Sequence, residues 1–361
     1  MRAAEIFCVN ETFTWLREPL LRRLPDGSLC CAFFTGGRGD GDLRNVVAAI
    51  RSADDGETWS GPEVLVSRSD QAAWAPSMFV HGEQAHIFWF TSRDRSRYRK
   101  ANHILSTGAD GRNFDQDRTL AAPWISERGV DVRHGTLLRD GRALLPISWL
   151  EPLGGFDPDT WVAPRPSRRY ANFGWGGIAQ NNLYCVGVME PNEDFTAFTP
   201  HGRICRETPG DELPSVPFFE PAIAELSAGR LALLLRADMT NRLWRADSLD
   251  GGRTWSVPVM TDIPNPGSKP RVINLPDGRI VLFHNPNEKD YDDEAAHPHK
   301  YRTPLEMWVS DDDLRTWGVK RTLVGAPQLA QYPDGFFDQR SGRIYLVWED
   351  DHTITLAKLA V

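Results

Sequence analysis

The stretch LRRLPDGSLCCAFF, Leu21 to Phe34, decides the fold. Two apolar runs flank a Pro-Asp-Gly turn, and an Asp-Gly pair between strand-forming residues is the strongest short-range sign of a β-hairpin. The same plan recurs five times: MFVHGEQAHIFWF around Gly82, TLLRDGRALLPISW around Gly141, AIAELSAGRLALLL around Gly229, VINLPDGRIVLFH around Gly278 and FFDQRSGRIYLVW around Gly342. Successive turn glycines are 55, 59, 88, 49 and 64 residues apart. Such a period predicts a radially repeated all-β unit, a six-bladed β-propeller, with one large insertion at about 150–215 between blades 3 and 4. We expect the 361 residues to form a single propeller domain.

A second repeat supports the first. SADDGETW at Ser52–Trp59, SLDGGRTW at Ser248–Trp255 and SDDDLRTW at Ser310–Trp317 share the pattern Ser-x-Asp-x-Gly-x-Thr-Trp, with Leu314 in the third where Gly is expected; STGADGRNF from Ser106 is a degenerate copy. The Asp carboxylate is suited to capping backbone N–H groups, Gly permits positive φ, and Trp packs beneath the turn. These boxes therefore read as structural turns, not as a binding site.

Bulk properties narrow the function. Hydrophobic content of 41% supports a large core, while a net charge of −8 argues against nucleic acid or an anionic membrane as the main partner. No apolar run reaches the ~18 residues of a membrane-spanning helix, and MRAAEIFCVNETF lacks a signal-peptide core. Five cysteines without a Cys-x-x-Cys spacing suggest free thiols, and together these features lead us to expect a cytoplasmic protein. The HPH motif of His297 and His299 reads as a solvated loop, so no metal or cofactor is expected.

Polar residues recur ahead of the turn glycines: Arg17, Trp74, His134, Glu220, Lys269 and Tyr332, five of the six followed closely by Pro. Burying unpaired charge is costly, so a ring of such groups at one level suggests a ligand site.

With the three Asp boxes, the six hairpins and an Arg-x-Pro near the N-terminus, the chain resembles the sialidase (neuraminidase) superfamily and its bacterial BNR-repeat relatives. The resemblance implies an arginine triad that grips a substrate carboxylate. Arg17 in REP stands for the first member, Arg236 for the second and Arg302 for the third. It implies an Asp acid/base in GGRGDGDLRN, where Asp40 and Asp42 both qualify, with Arg38 as an additional substrate contact. It further implies Tyr332 as the nucleophile and Glu220, 16 residues before Arg236, as its base. Trp74, His134 and Lys269 are expected to line the substrate site.

The chemistry is coherent. A carboxylate on the anomeric carbon repels an anionic nucleophile, and a neutral Tyr avoids that problem. The expected substrate is a small molecule or glycan bearing a carboxylate, such as sialic acid or a related 2-keto sugar acid. Two other readings stand beside it. One is a glycosidase or lyase acting on another acidic sugar, to which His134, Lys269 and the insertion aromatics Trp161, Tyr170 and Trp175 would contribute. The other is a sugar-binding propeller without catalysis.

Overall fold

A computed structural model describes residues 2–92, 101–108, 111–114, 117–120, 129–154, 181–211, 213–290 and 299–361. The architecture is the all-β, six-bladed propeller arrangement that the hairpin repeat predicts, and a single 3-10 turn at Ser227–Gly229 is the only helical element among the described residues. No helix of those residues is long and apolar enough to cross a membrane. The chain divides into two compact units, Met1–Leu137 with Ala330–Val361, and Leu138–Leu329.

The first unit holds blades 1, 2 and 6. Blade 1 runs Leu16–Arg23, Leu29–Thr35, Val46–Ser52, Glu63–Val66, and blade 2 runs Ala72–His81, Gln84–Ser92, Ala101–Ser106, Arg118–Thr119. Blade 6 takes Gln331–Asp338, Arg343–Glu349 and Thr353–Leu359 from the end of the chain and its outer strand, Arg2–Cys8, from the beginning. The second unit holds blade 4 (Phe218–Glu225, Leu231–Ala237, Arg242–Ser248, Val259–Pro264) and blade 5 (Arg271–Asn274, Ile280–His284, Leu305–Ser310, Val319–Val324). It also holds the long strands of blade 3: Ala143–Pro152, Asn182–Pro191 and Phe198–Ile204.

Part of the segment expected as an insertion at about 150–215 belongs to blade 3. Residues 182–191 and 198–204 of that segment are ladder strands of blade 3. Residues 155–180, which include Trp161, Tyr170 and Trp175, lie outside the described residues, as do Asp110 of the degenerate box and His297.

The continuous apolar runs follow from burial on both faces. In Leu29–Thr35, Leu29, Cys31 and Phe33 pack with Tyr345, Val347 and Leu356 of blade 6, while Cys30 and Ala32 pack with Met78, Ile87 and Trp89 of blade 2. Successive strand side chains point to opposite faces, so a sheet sandwiched between two others needs both parities apolar. Blade 4 repeats the arrangement: Leu231, Leu233 and Leu235 face Val186 and Val188, and Ala232 and Leu234 face Ile280 and Leu282.

The Asp boxes are turns of the predicted kind. Asp54 Oδ1 accepts from the backbone N–H of Glu57 and Thr58 at 3.1 and 2.9 Å, Oδ2 accepts from Thr58 Oγ1 at 2.6 Å, and Ser52 Oγ accepts from Gly56 N at 2.8 Å. Asp250 and Asp312 repeat these bonds. Trp59, Trp255 and Trp317 each pack against a neighbouring core cluster. Leu314 adopts φ +64, a conformation that favours Gly, and buries its side chain beside Trp308 and Ile280.

Hydrogen bonds donated to the Asp312 carboxylate by the Thr316 hydroxyl, first, and by the Thr316 backbone N–H hold this carboxyl down at about 2 from its usual 3.8. A carboxylate with a depressed folded pKa contributes stability above its unfolded pKa and loses it as pH falls through the folded value. Asp312→Ala is therefore expected to lower Tm by roughly 1–4 °C at neutral pH. The gap to wild type should close between about pH 4 and pH 2, as thermal unfolding across that range will show.

Candidate active site

A shared deformation positions the polar residues. The innermost strands of blades 1, 2, 4 and 6 break register between Arg17 and Leu20, Trp74 and Ser77, Phe219 and Ala222, and Gln331 and Asp334. In each gap a non-glycine residue at positive φ precedes a proline: Glu18 at +53, Ala75 at +45, Glu220 at +42 and Tyr332 at +50. Pro lacks the N–H that a ladder needs, so it fits at a bulge, and it bars the preceding residue from the right-handed helical region. Left-handed backbone at a bulky residue costs about 1–3 kcal/mol and is concentrated at functional sites.

The bulge also corrects the expected ring. Glu220 and Tyr332 occupy the bulge position, whereas Arg17 and Trp74 precede it by one residue, so Arg17 is the register equivalent of Gln331. The blade 1 residue that matches Glu220 and Tyr332 is Glu18. Its buried carboxylate accepts from Arg133 NH1 at 2.8 Å.

In the first unit the residues gather around Arg17, which is 5% exposed. Its NH2 donates to Asp351 Oδ1 at 2.6 Å and its Nε lies 3.9 Å from Glu349 Oε1. The guanidinium carbon stands 5.0 Å from the Trp15 ring and 5.6 Å from the Tyr332 ring. Burial works against the charge, but Glu349 above all, then Tyr332, Asp40 and Asp351, raise the Arg17 pKa. Glu349, fully buried, also accepts from Asp351 N and from Gln331 Nε2.

The two candidate acids differ. Asp42 accepts from Arg44 Nε and NH2 at 2.9 and 2.6 Å and from the backbone N–H groups of Arg38 and Arg44. The Arg44 side chain, ahead of those backbone bonds, holds the Asp42 pKa far below the carboxylate range. Asp42 is thus the clamp of its own loop, while Asp40 is half-buried and is one of the charges that raise the Arg17 pKa. Arg38 is exposed.

Trp74 is a core side chain, packed at 4.5 Å from Phe90 and 6.1 Å from Phe34 with Nε1 donating to Ser92 Oγ. His134 is buried between Ser77 Oγ, 3.4 Å from Nδ1, and Asp334 Oδ1, 3.4 Å from Nε2. The other oxygen of Asp334 accepts from Leu21 N and Arg22 NH1.

The second unit has its own cluster. Arg236 NH1 donates to Glu220 Oε2 at 2.6 Å, its Nε and NH2 bracket Asp238 at 3.2 and 3.3 Å, and its guanidinium covers Phe219 at 5.4 Å. Arg302, 6% exposed, donates to Gly267 O at 3.4 Å, and Lys269 is buried. Lys289, which the sequence did not single out, joins them. Burial lowers its pKa most; Asp238 opposes that, and Arg302 and Arg236 add to the lowering. Among the described residues no group of three or more His, Cys, Asp or Glu is placed to hold a metal ion.

Six blades, with Asp-box turns and bulged inner strands, define a six-bladed β-propeller of the sialidase-like kind. The chain belongs to the BNR repeat-like domain family, whose pattern matches residues 27–346. Among solved structures, a protein of unknown function from Dyadobacter fermentans is similar at TM-score 0.72 and 14% identity, covering 99% of this chain and 98% of that one. The K499G mutant of NanB sialidase from Streptococcus pneumoniae is similar at TM-score 0.71 and 12% identity, over 98% of this chain and 70% of that one. Trypanosoma rangeli sialidase follows at 0.67 and 14%, over 95% of this chain and 54% of its own length, so this chain spans about half of that enzyme. At these identities the likeness is one of fold. No curated protein matches the sequence.

Proposed function

We propose that the protein is an exo-acting, retaining glycosidase that removes a terminal sialic acid or a related 2-keto sugar acid. The observation that carries this reading is Tyr332, held at φ +50 on a bulge with the buried Arg17 guanidinium 5.6 Å from its ring. An Arg fixed by Glu349 and Asp351 is oriented to receive a planar carboxylate, for which its fork of N–H donors is suited. Tyr332 would attack the anomeric carbon as a neutral nucleophile, Asp40 would protonate the leaving oxygen, and water would release the sugar with retained configuration. For the second unit, the proposed roles are base for Glu220 and carboxylate contacts for Arg236 and Arg302.

His134 favours a second reading, elimination on a uronate-containing glycan. Its ring lies between a hydroxyl and a buried carboxylate, an arrangement that positions an imidazole for proton transfer.

The test is release of fluorophore from aryl α-glycosides of sialic acid and 3-deoxy-octulosonic acid and from an aryl glucuronide, with a glucuronate polymer assayed alongside for unsaturated product. Turnover of a 2-keto acid glycoside supports the proposal. Unsaturated product from a glucuronate polymer would replace it with the second reading, and silence across the panel with saturable sugar binding would leave a non-catalytic propeller. On a substrate with a poor leaving group, Asp40→Asn is expected to lose about 10²–10⁴-fold in kcat. Asp42→Asn should lose less and show its effect in Tm; the reverse ranking would move the acid to Asp42.

A further inference from the structure

Blade 3 carries a pair of thiols that the proposed chemistry does not use. Cys185 lies in the strand Asn182–Pro191 and Cys205 follows the strand Phe198–Ile204. Val186 pairs with Ile204, so Cys185 and Cys205 fall opposite one another one step along the ladder. Directly opposed residues in an antiparallel pair have Cβ atoms about 4.5–5.5 Å apart, close to the 3.5–4.5 Å of a disulfide. Cys185 is fully buried and Cys205 half-buried, so Cys205 is the more accessible residue of the pair.

We propose that Cys185 and Cys205 form a reversible redox couple, oxidised by a hydroperoxide to an intramolecular disulfide. The surroundings divide the labour. The Cys185 thiol, with Ser215 and Arg203 assisting and burial opposing, favours the thiolate of Cys205, while Cys205 and burial push the Cys185 thiol up. The more acidic, more accessible sulfur is the one that reacts first. The Cys205 thiolate attacks the peroxide oxygen, the O–O bond breaks, and Cys205 becomes a sulfenic acid as ROH departs. The Cys185 sulfur then attacks the sulfenic sulfur, losing its proton, and water leaves. Two thiols and ROOH give one disulfide, ROH and water, the two electrons passing to the O–O bond.

The couple lies near the second unit's cluster. Tyr184, next to Cys185, packs edge-on against Phe219 at 4.9 Å, and Arg236 covers that same ring. Arg203, which supports the Cys205 thiolate, is paired with Glu151 at 2.7 Å.

The experiment is non-reducing peptide mapping of the intact protein after hydrogen peroxide treatment and alkylation. The expected result is a crosslinked pair of peptides containing Cys185 and Cys205, 2 Da lighter than the two thiols, lost on adding dithiothreitol. Cys30 and Cys31, both fully buried, should alkylate only after denaturation. In Cys205→Ser the crosslink should vanish and Cys185 should survive peroxide as a thiol. Because the wild-type map needs no variant, a folding defect in Cys205→Ser cannot mask the answer. Over-oxidation of Cys205 to sulfinic or sulfonic acid without the crosslink, or crosslinks only between molecules through the exposed Cys8, would overturn the proposal.

Discussion

Tyr332→Phe is expected to cut kcat on the preferred aryl glycoside by about 10³–10⁵-fold while leaving the fold intact. Only the hydroxyl is removed. The ring that lies 5.6 Å from the Arg17 guanidinium stays, and so does the bulge before Pro333. The expectation rests on chemistry as well as on placement. A phenol of pKa near 10 is a poor nucleophile unless its proton is taken up, so losing the oxygen removes the covalent step outright, whereas losing a substrate contact alone would raise KM and spare kcat. Turnover within about threefold of wild type, measured with a Tm unchanged by more than about 2 °C, would remove Tyr332 from the nucleophile's role. A pure KM effect would make it a platform for the sugar.

Deleting residues 2–9 is expected to have the largest effect on stability. Arg2–Cys8 forms the outer strand of blade 6 and pairs with Thr353–Lys358 from Arg2↔Lys358 to Cys8↔Thr353. Phe7 adds a ring 4.8 Å from Phe33 and packs in the cluster between blades 6 and 1. Emptying a buried Phe site costs about 3–5 kcal/mol, and the lost ladder leaves Thr353–Leu359 as a bare edge open to other chains. We therefore expect a Tm drop of more than about 10 °C together with aggregation, and partial recovery when a peptide of residues 2–9 is supplied. Phe7→Ala alone should account for about a third to a half of the loss. A truncated protein melting within about 3 °C of wild type would show that the strand adds nothing to blade 6.

The sequence exposed its hairpins readily because their signal is local. Pro-Asp-Gly at Gly27 and Gly278 must turn, and these glycines adopt φ +86 and +93. The Asp boxes were legible for the same reason, since every bond of the Asp54 turn lies within a few residues. Register was harder. A strand such as Leu29–Thr35, buried on both faces, carries no alternation from which to set a phase, and the bulge at Glu18-Pro19 adds one residue that counting back from Gly27 misses. The X-Pro dipeptide was the better ruler, since Glu18, Ala75, Glu220 and Tyr332 all stand immediately before a proline at the bulge. Partners remote in sequence were not readable. Glu18 and Arg133 are 115 residues apart and Arg17 and Asp351 are 334 apart. Asp40 and Asp42 looked alike in a Gly-rich loop until Arg44 was seen to clamp one of them.

The outer strand of blade 6 bears on how the protein is made. In that sheet the order is Arg2–Cys8, Thr353–Leu359, Arg343–Glu349, Gln331–Asp338, so the first of the described strands has as its neighbour the last of them. It must wait, unpaired, through the synthesis of some 340 residues, at about 5–20 residues per second. The contacts joining those two strands are among the most sequence-distant a chain of this length can make, and such contacts slow folding. Blades built from contiguous hairpins can assemble as they emerge, but blade 6 is completed only once Thr353–Leu359 has been made, which leaves the nascent Arg2–Cys8 strand exposed to mispairing until then.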